Sequence, residues 1–151
     1  LLAKRKQLIT HNKDQSVLTL LQIKKLIETD FNTVHVNATL GELIEVIKYA
    51  KRNIFPVVDD DGVLHGIVKL DDIRHIMFSP EKYNKIDVRT VMHMPKYYFS
   101  PTDDMDDVVA VIQKSGHFNF PILDNGKYIG FISRATVFSE YRKISEFFSE
   151  E

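Results

Sequence analysis

Six histidines, His11, His35, His65, His75, His93 and His117, are the side chains most apt for metal or proton-transfer chemistry, and their spacing serves neither. None stands four residues from another with a carboxylate between, the arrangement that puts two imidazoles on one helix face around zinc. The absence of cysteine excludes a disulfide framework and any thiolate metal or redox site. There is no Walker loop, no Gly-x-Gly-x-x-Gly and no Gly-x-Ser-x-Gly. The acidic run Asp103, Asp104, Asp106 and Asp107 invites a metal site, but carboxylates at a helix start also complement the helix dipole, and that reading is preferred. The expectation is a chain that is not an enzyme and holds no metal.

What the sequence does carry is a duplication. Phe55-Pro56-Val57-Val58 enters an Asp/Gly turn and leaves through Gly66, and Phe120-Pro121-Ile122-Leu123 does the same through Gly130. The copies align with an offset of 65 residues from Ile27/Met92 through Leu43/Val108 and Pro56/Pro121 to Asp59/Asp124, falling to 64 at Gly66/Gly130 because the first turn is one residue longer. An insertion confined to a turn leaves strand register intact. Asn125-Gly126 fits a tight turn needing positive φ, and residues 59–62 form a longer loop around the same reversal. Gly66 and Gly130 read as strand positions approached closely by another backbone.

With 151 residues, 44% hydrophobic and 27% charged, the chain suits one compact domain or two small halves sharing a core. A net charge of -1 gives no global basic field, so nucleic acid is not an expected partner. No apolar run reaches the roughly 20 residues that span a bilayer, and the opening Leu1-Leu2-Ala3-Lys4-Arg5-Lys6 reads as a sequence entered midway in a longer protein.

In order, the spacing predicts a polar linker, a lead-in helix over 16–27 with Val17, Leu20, Leu21 and Ile27 apolar, and a short strand over 33–36 with its counterpart at 98–101. Thr39 and Glu42 form a capping box for a helix with Leu40, Leu43, Ile44 and Ile47 on one face. The second copy starts at Asp104 and stops at Gly116. The hairpins, over 54–68 and 118–132, lead into helices over about 70–78 and 134–148, the latter with Val137, Phe138, Tyr141, Ile144 and Phe148 apolar. A helical turn is expected over 88–94, ended by Pro95. Tyr97, Tyr98 and Phe99 are expected to pack between the copies or at a dimer face, with stacking on a base as the lesser alternative. Each copy is a strand, helix, strand, strand, helix unit too small to bury much core alone, so the halves should pack sheet against sheet.

This pattern resembles the CBS domain, whose members occur as tandem pairs, the Bateman modules. The match rests on the Phe-Pro hairpins and the glycine-led segments 66–72 and 130–136, and covers about residues 24–145. It implies an α+β fold of two β-α-β-β-α repeats packed sheet to sheet with pseudo-two-fold symmetry. The divisions it suggests are a linker and lead-in helix over 1–23, a first repeat over 24–80 and a second over 81–148. A narrower likeness, to the cytoplasmic CBS pair of CLC-type chloride channels and transporters, rests on residues 8–14, 25–31 and 138–142. It implies a regulatory module on the cytoplasmic side of a membrane, joined to the transport domain of the same chain, homodimeric, and sensing adenine nucleotide with ATP, ADP or AMP as its ligand. The alternative is a ligand-free dimerisation module.

In the family, the carboxylate closing the glycine-led motif accepts both ribose hydroxyls, and a hydroxyl residue stands three positions before it. Here the first copy keeps Asp72 but carries Lys69 in the hydroxyl position, and the second keeps Ser133 but carries Thr136 in place of the carboxylate. The resemblance puts a stacking group on His117 and Val36 in the first cleft, while Lys69 and Arg74 stand near enough in sequence to offer cationic donors to phosphates, a plain surface charge being the other reading of Lys69 as of Arg134. His75 is a further nearby cation. The second cleft, with Ser133, Arg134, Thr136 and Arg52, should bind more weakly or not at all. A carboxylate at position 72 also suits a helix-start cap, and His117 a plain loop residue, so both readings of each stay open.

Overall fold

The computed structural model describes residues 17–18 and 21–149. The expected linker, the motif at 8–14 and Leu20 lie outside them. Two short runs of strand organise everything else. In the first half, β1 (Val34–His35) pairs parallel with β2 (Ile54–Val58), which pairs antiparallel with β3 (Leu64–Lys69). In the second half, β4 (Asn119–Asp124) pairs antiparallel with β5 (Lys127–Ser133), and Phe99 replaces β1 as a single parallel bridge to Ile122. The predicted strands at 33–36 and 98–101 therefore shrink to two residues and one. Phe99 holds its place by donating its N–H to the Pro121 carbonyl at 3.0 Å and accepting from Leu123 at 2.8 Å.

Both hairpins are bulged at the same place, beside the Val57–Gly66 and Ile122–Gly130 pairs. Proline can sit inside β2 because β1 begins pairing only at Val57, so the N–H that Pro56 lacks has no ladder partner to miss. The turns follow their residue types. Asn125 and Gly126 have φ of 52° and 85°, while Asp59 Oδ1 accepts from the Asp61 and Val63 amides at 2.9 and 3.0 Å and Gly62 takes φ 82°.

Helix α2 (Leu40–Tyr49) begins with the predicted capping box, Thr39 Oγ1 accepting from the Glu42 amide at 3.2 Å and Glu42 reaching back to Thr39. Its counterpart α5 (Met105–Ser115) ends at Gly116 with φ 70°. The last helix, α6 (Arg134–Ser149), packs Val137, Phe138, Tyr141 and Ile144 on the second core. Phe148 lies beyond the side chains described.

Three predicted helices are shorter. The lead-in helix is broken at an extended Gln22, leaving α1 (Ile23–Leu26), because Leu21 and Ile23 are both buried on either side of an exposed Gln22 and only extended backbone gives that alternation. The helix after β3 is one turn, α3 (Leu70–Ile73), followed by turns. Ser79-Pro80 redirects the chain, and the Tyr83 hydroxyl donates back to the Met77 carbonyl. The turn near 88 is α4 (Val88–Val91), which stops before Met92 because His93 is drawn into a strand pair.

That pair reveals how the halves are joined. His93 exchanges two backbone hydrogen bonds with Ile67 of β3 at 2.8 and 3.0 Å, and Glu28, its equivalent in the first copy, exchanges two with Phe131 of β5 at 2.7 and 3.0 Å. Each copy's lead-in segment thus edges the other copy's hairpin. Gly66 and Gly130 are glycine because these backbones lie against them. A Cβ on Gly66 would be 3.1 Å from the His93 carbonyl oxygen, and one on Gly130 only 2.6 Å from that of Glu28. The hairpin tips also meet, Leu64 donating to Gly126 and Tyr128 to Gly62 at 3.0 and 2.9 Å. Between them Phe31, Leu64, Ile67, Leu123 and Phe131 make a shared core, with the Phe31 and Phe131 rings 4.4 Å apart. Two further cores, one per half, lie beneath the helices.

Candidate functional site

The reciprocal crossing leaves two related clefts, each bounded by the end of one hairpin, the start of the other and the crossing segment. The first is an open cavity of about 820 Å³, a size suited to a nucleotide. Its floor is apolar, from Ile54, Ile67, Phe120 and Phe131. One wall is Lys69, Leu70 and Asp71, where β3 gives way to α3. The opposite wall is Gly116 to Phe120, where the left-handed Gly116 turns the chain out of α5 and the Ser115 hydroxyl accepts the His117 amide at 3.2 Å. Residues 93–97 form the third side.

Of the five residues expected here, the structure brings two to the cavity. Lys69 and His117 line it, with the His117 ring 5.9 Å from that of Tyr97. Asp72 stands at its margin, one oxygen 3.8 Å from Nδ1 of His93, which does line it. Arg74 is not among the lining residues and pairs with Asp71 at 2.7 Å. Val36 is 3% exposed in the first core, its amide bonded to the Val58 carbonyl, and it does not line the cavity. His93, Lys96, Asn119 and Phe118 were not foreseen, and Tyr97, expected between the copies or at a dimer face with base stacking as the lesser alternative, lines the cavity. The only sequence signal for the crossing segment was the 65-residue offset that equates His93 with Glu28.

The second cleft is filled by its own polar side chains. Ser133 Oγ donates to Thr136 Oγ1 at 2.8 Å and accepts the Thr136 amide at 3.0 Å, and Thr136 Oγ1 donates to Glu28 Oε1 at 3.4 Å. The same Glu28 oxygen lies 3.5 Å from Arg52, which also makes a two-pronged bond to Asp30, both contacts at 2.9 Å, and covers the Phe31 ring at 4.5 Å. That bidentate bond holds the Asp30 carboxyl below its ordinary pKa and raises the Arg52 guanidinium above its own. Arg134 turns away, donating to the Ile112 carbonyl at 3.2 Å and stacking on Phe138. Two carboxylates against one engaged guanidinium make this cleft unwelcoming to phosphate. Glu28 Oε2 and Tyr128 Oη are buried there without a hydrogen-bond partner, and burial pushes the Tyr128 pKa up.

No helix among the described residues is long and apolar enough to cross a membrane. In comparison with known proteins, the family model for the CBS domain matches residues 23–79 and 88–143. A CBS domain-containing protein of Dictyostelium discoideum is 25% identical over 138 residues, covering 82% of this chain and 93% of the relative. The fold matches the CBS domain of a membrane protein from Sphaerobacter thermophilus with a TM-score of 0.69 at 19% identity, over 89% of this chain and 96% of that one. It also matches the CBS domain of a bacterial CNNM/CorC family Mg2+ transporter solved with ATP, with a TM-score of 0.69 at 15% identity, over 88% and 97% of the two chains. Two copies of one unit, crossed at their lead-in segments and matched twice by the same family model, show that the chain belongs to the CBS-domain family as a tandem pair.

Proposed function

We propose that this CBS pair is a regulatory module, not an enzyme, and that it senses an adenine nucleotide bound in the first cleft. The observation that carries the reading is the inequality of the clefts. One is open, apolar at the floor and basic at the rim, while the other has its polar groups paired with one another. A bound nucleotide shifts the arrangement of the two repeats by its differential affinity for their alternatives. Titrating ATP, ADP and AMP by calorimetry into the wild type and Asp72→Ala tests it. Binding by the wild type, weakened about tenfold or more when the carboxylate is lost, is expected. No heat from any nucleotide overturns the reading.

The finer assignment, to a CLC-type chloride channel or transporter, is supported by the likeness of residues 25–31 and 138–142. Under it the module is cytoplasmic, joined to the transport domain of its own chain. A coding sequence upstream of Leu1 with about ten hydrophobic spans, each of roughly 20 residues, would support it. Upstream sequence without such spans would reject it.

A second reading, a homodimerisation module without ligand, is favoured by Tyr49 and Phe78, 82% and 81% exposed on the first half. It predicts a concentration-dependent dimer by analytical ultracentrifugation and no thermal shift with nucleotide.

A further inference from the structure

The first cleft is lined by two lysines and two histidines against a single aspartate, Asp71, whose carboxylate is engaged by Arg74 at 2.7 Å. These lysines and histidines come from three separate parts of the chain. Lys69 ends β3, His117 precedes β4, and His93 and Lys96 lie on the crossing segment, where Lys96 Nζ sits 5.3 Å over the Tyr97 ring. The apolar floor gives a base a place to bury, and the exposed basic rim leaves the phosphate end facing cations and water.

The pseudo-dyad supplies an internal control. At the related positions the second cleft has Ser133 for Lys69, Glu28 for His93 and Phe31 for Lys96, while of its two cations Arg52, for His117, is held by Asp30 and Arg134, for Leu70, is turned to the Ile112 carbonyl. The basic rim is therefore not a consequence of the fold, which both halves share. It belongs to one cleft.

We propose that Lys69 and Lys96, assisted by His93 and His117, form a phosphate-reading rim by which this cleft selects ligands on the length of their phosphate chain. A nucleoside triphosphate binds best, the diphosphate next, the monophosphate more weakly and the uncharged nucleoside least. The proposal rests on the nucleotide reading above but commits it to a polyanionic ligand, since each added phosphate brings charge into reach of fixed cations. Lys69 and Lys96 are exposed, so neutralising them leaves the core intact.

The test is a calorimetric series of adenosine, AMP, ADP and ATP against the whole chain, with the double variant Lys69→Gln/Lys96→Gln in parallel. ATP should exceed adenosine by roughly tenfold or more, and the preference should shrink on raising salt because exposed charges are screened. The double variant should reduce the ATP-to-adenosine ratio by about tenfold, and Lys→Arg at both positions should restore it in large part. Equal affinity along the series, or an unchanged ratio in the double variant, overturns the rim while nucleotide binding stands. Failure of all four ligands to bind removes both proposals.

Discussion

A methyl group at position 130 has no room. Built on Gly130, it meets the Glu28 carbonyl oxygen and Ile27 Cγ2, both at 2.6 Å, and the first of these is backbone already committed to Phe131. At Gly66 the nearest atoms are at 3.1 and 3.2 Å, and one of them is the flexible Met92 side chain. Gly130→Ala should therefore cost about 2–3 kcal/mol and Gly66→Ala about 1 kcal/mol, read from urea midpoints at unchanged slope. Asp30 gives a test in pH. Its folded pKa lies below the ordinary carboxylate value because Arg52 bonds the charged form, so its contribution is full above that ordinary value and is lost as pH falls through the lowered one. Wild type should be more stable than Asp30→Asn at neutral pH, and the gap should close only in strong acid, as followed by thermal melts.

At the scale of elements, the two long helices of the repeats start differently although their positions correspond. Thr39 caps α2 through its hydroxyl, whereas Asp104 makes no side-chain cap bond to α5. In the second copy the neighbouring Asp103 instead accepts the Ser100 amide at 2.9 Å. Thr39→Ala should lose about 1 kcal/mol and Asp104→Ala distinctly less, measured by denaturant unfolding of each variant. The capping box, the left-handed Gly116 and the Asn125-Gly126 turn were all legible in sequence, since each follows from neighbours within four residues. The broken lead-in helix and the one-turn helix after β3 were not. Their apolar spacing suits a helix, but burial of Leu21 beside Ile23 depends on partners far along the chain, and the Tyr83 hydroxyl reaches the Met77 carbonyl only once the turn at Ser79-Pro80 has brought it back.

For the whole molecule, the crossing means that no continuous half contains its own core. Val88, with Ile86 and Val91, completes the first core, and Leu21, Ile23 and Leu26 complete the second. Fragments 1–80 and 81–151 should each fail to unfold cooperatively alone, yet regain the native circular dichroism and a single melting transition when mixed. A fragment that folds cooperatively by itself would refute the interdependence. The same crossing carries His93 and Lys96 to the first cleft and Glu28 to the second, so the unequal chemistry of the clefts is a property of the assembled pair.

Duplication, turn chemistry, helix starts and the need for two halves to share a core were written in the linear order of residues, because each is a matter of local pattern or of total apolar content. Lys69 and His117, singled out in the sequence, both line the first cavity. The order of residues could not say that Val36 is buried, that Arg74 turns to Asp71, or that a linker histidine and lysine face the cavity. Those outcomes depend on which hairpin edge each lead-in segment joins. Backbone pairing with the opposite copy decides that, and only the tertiary structure records it.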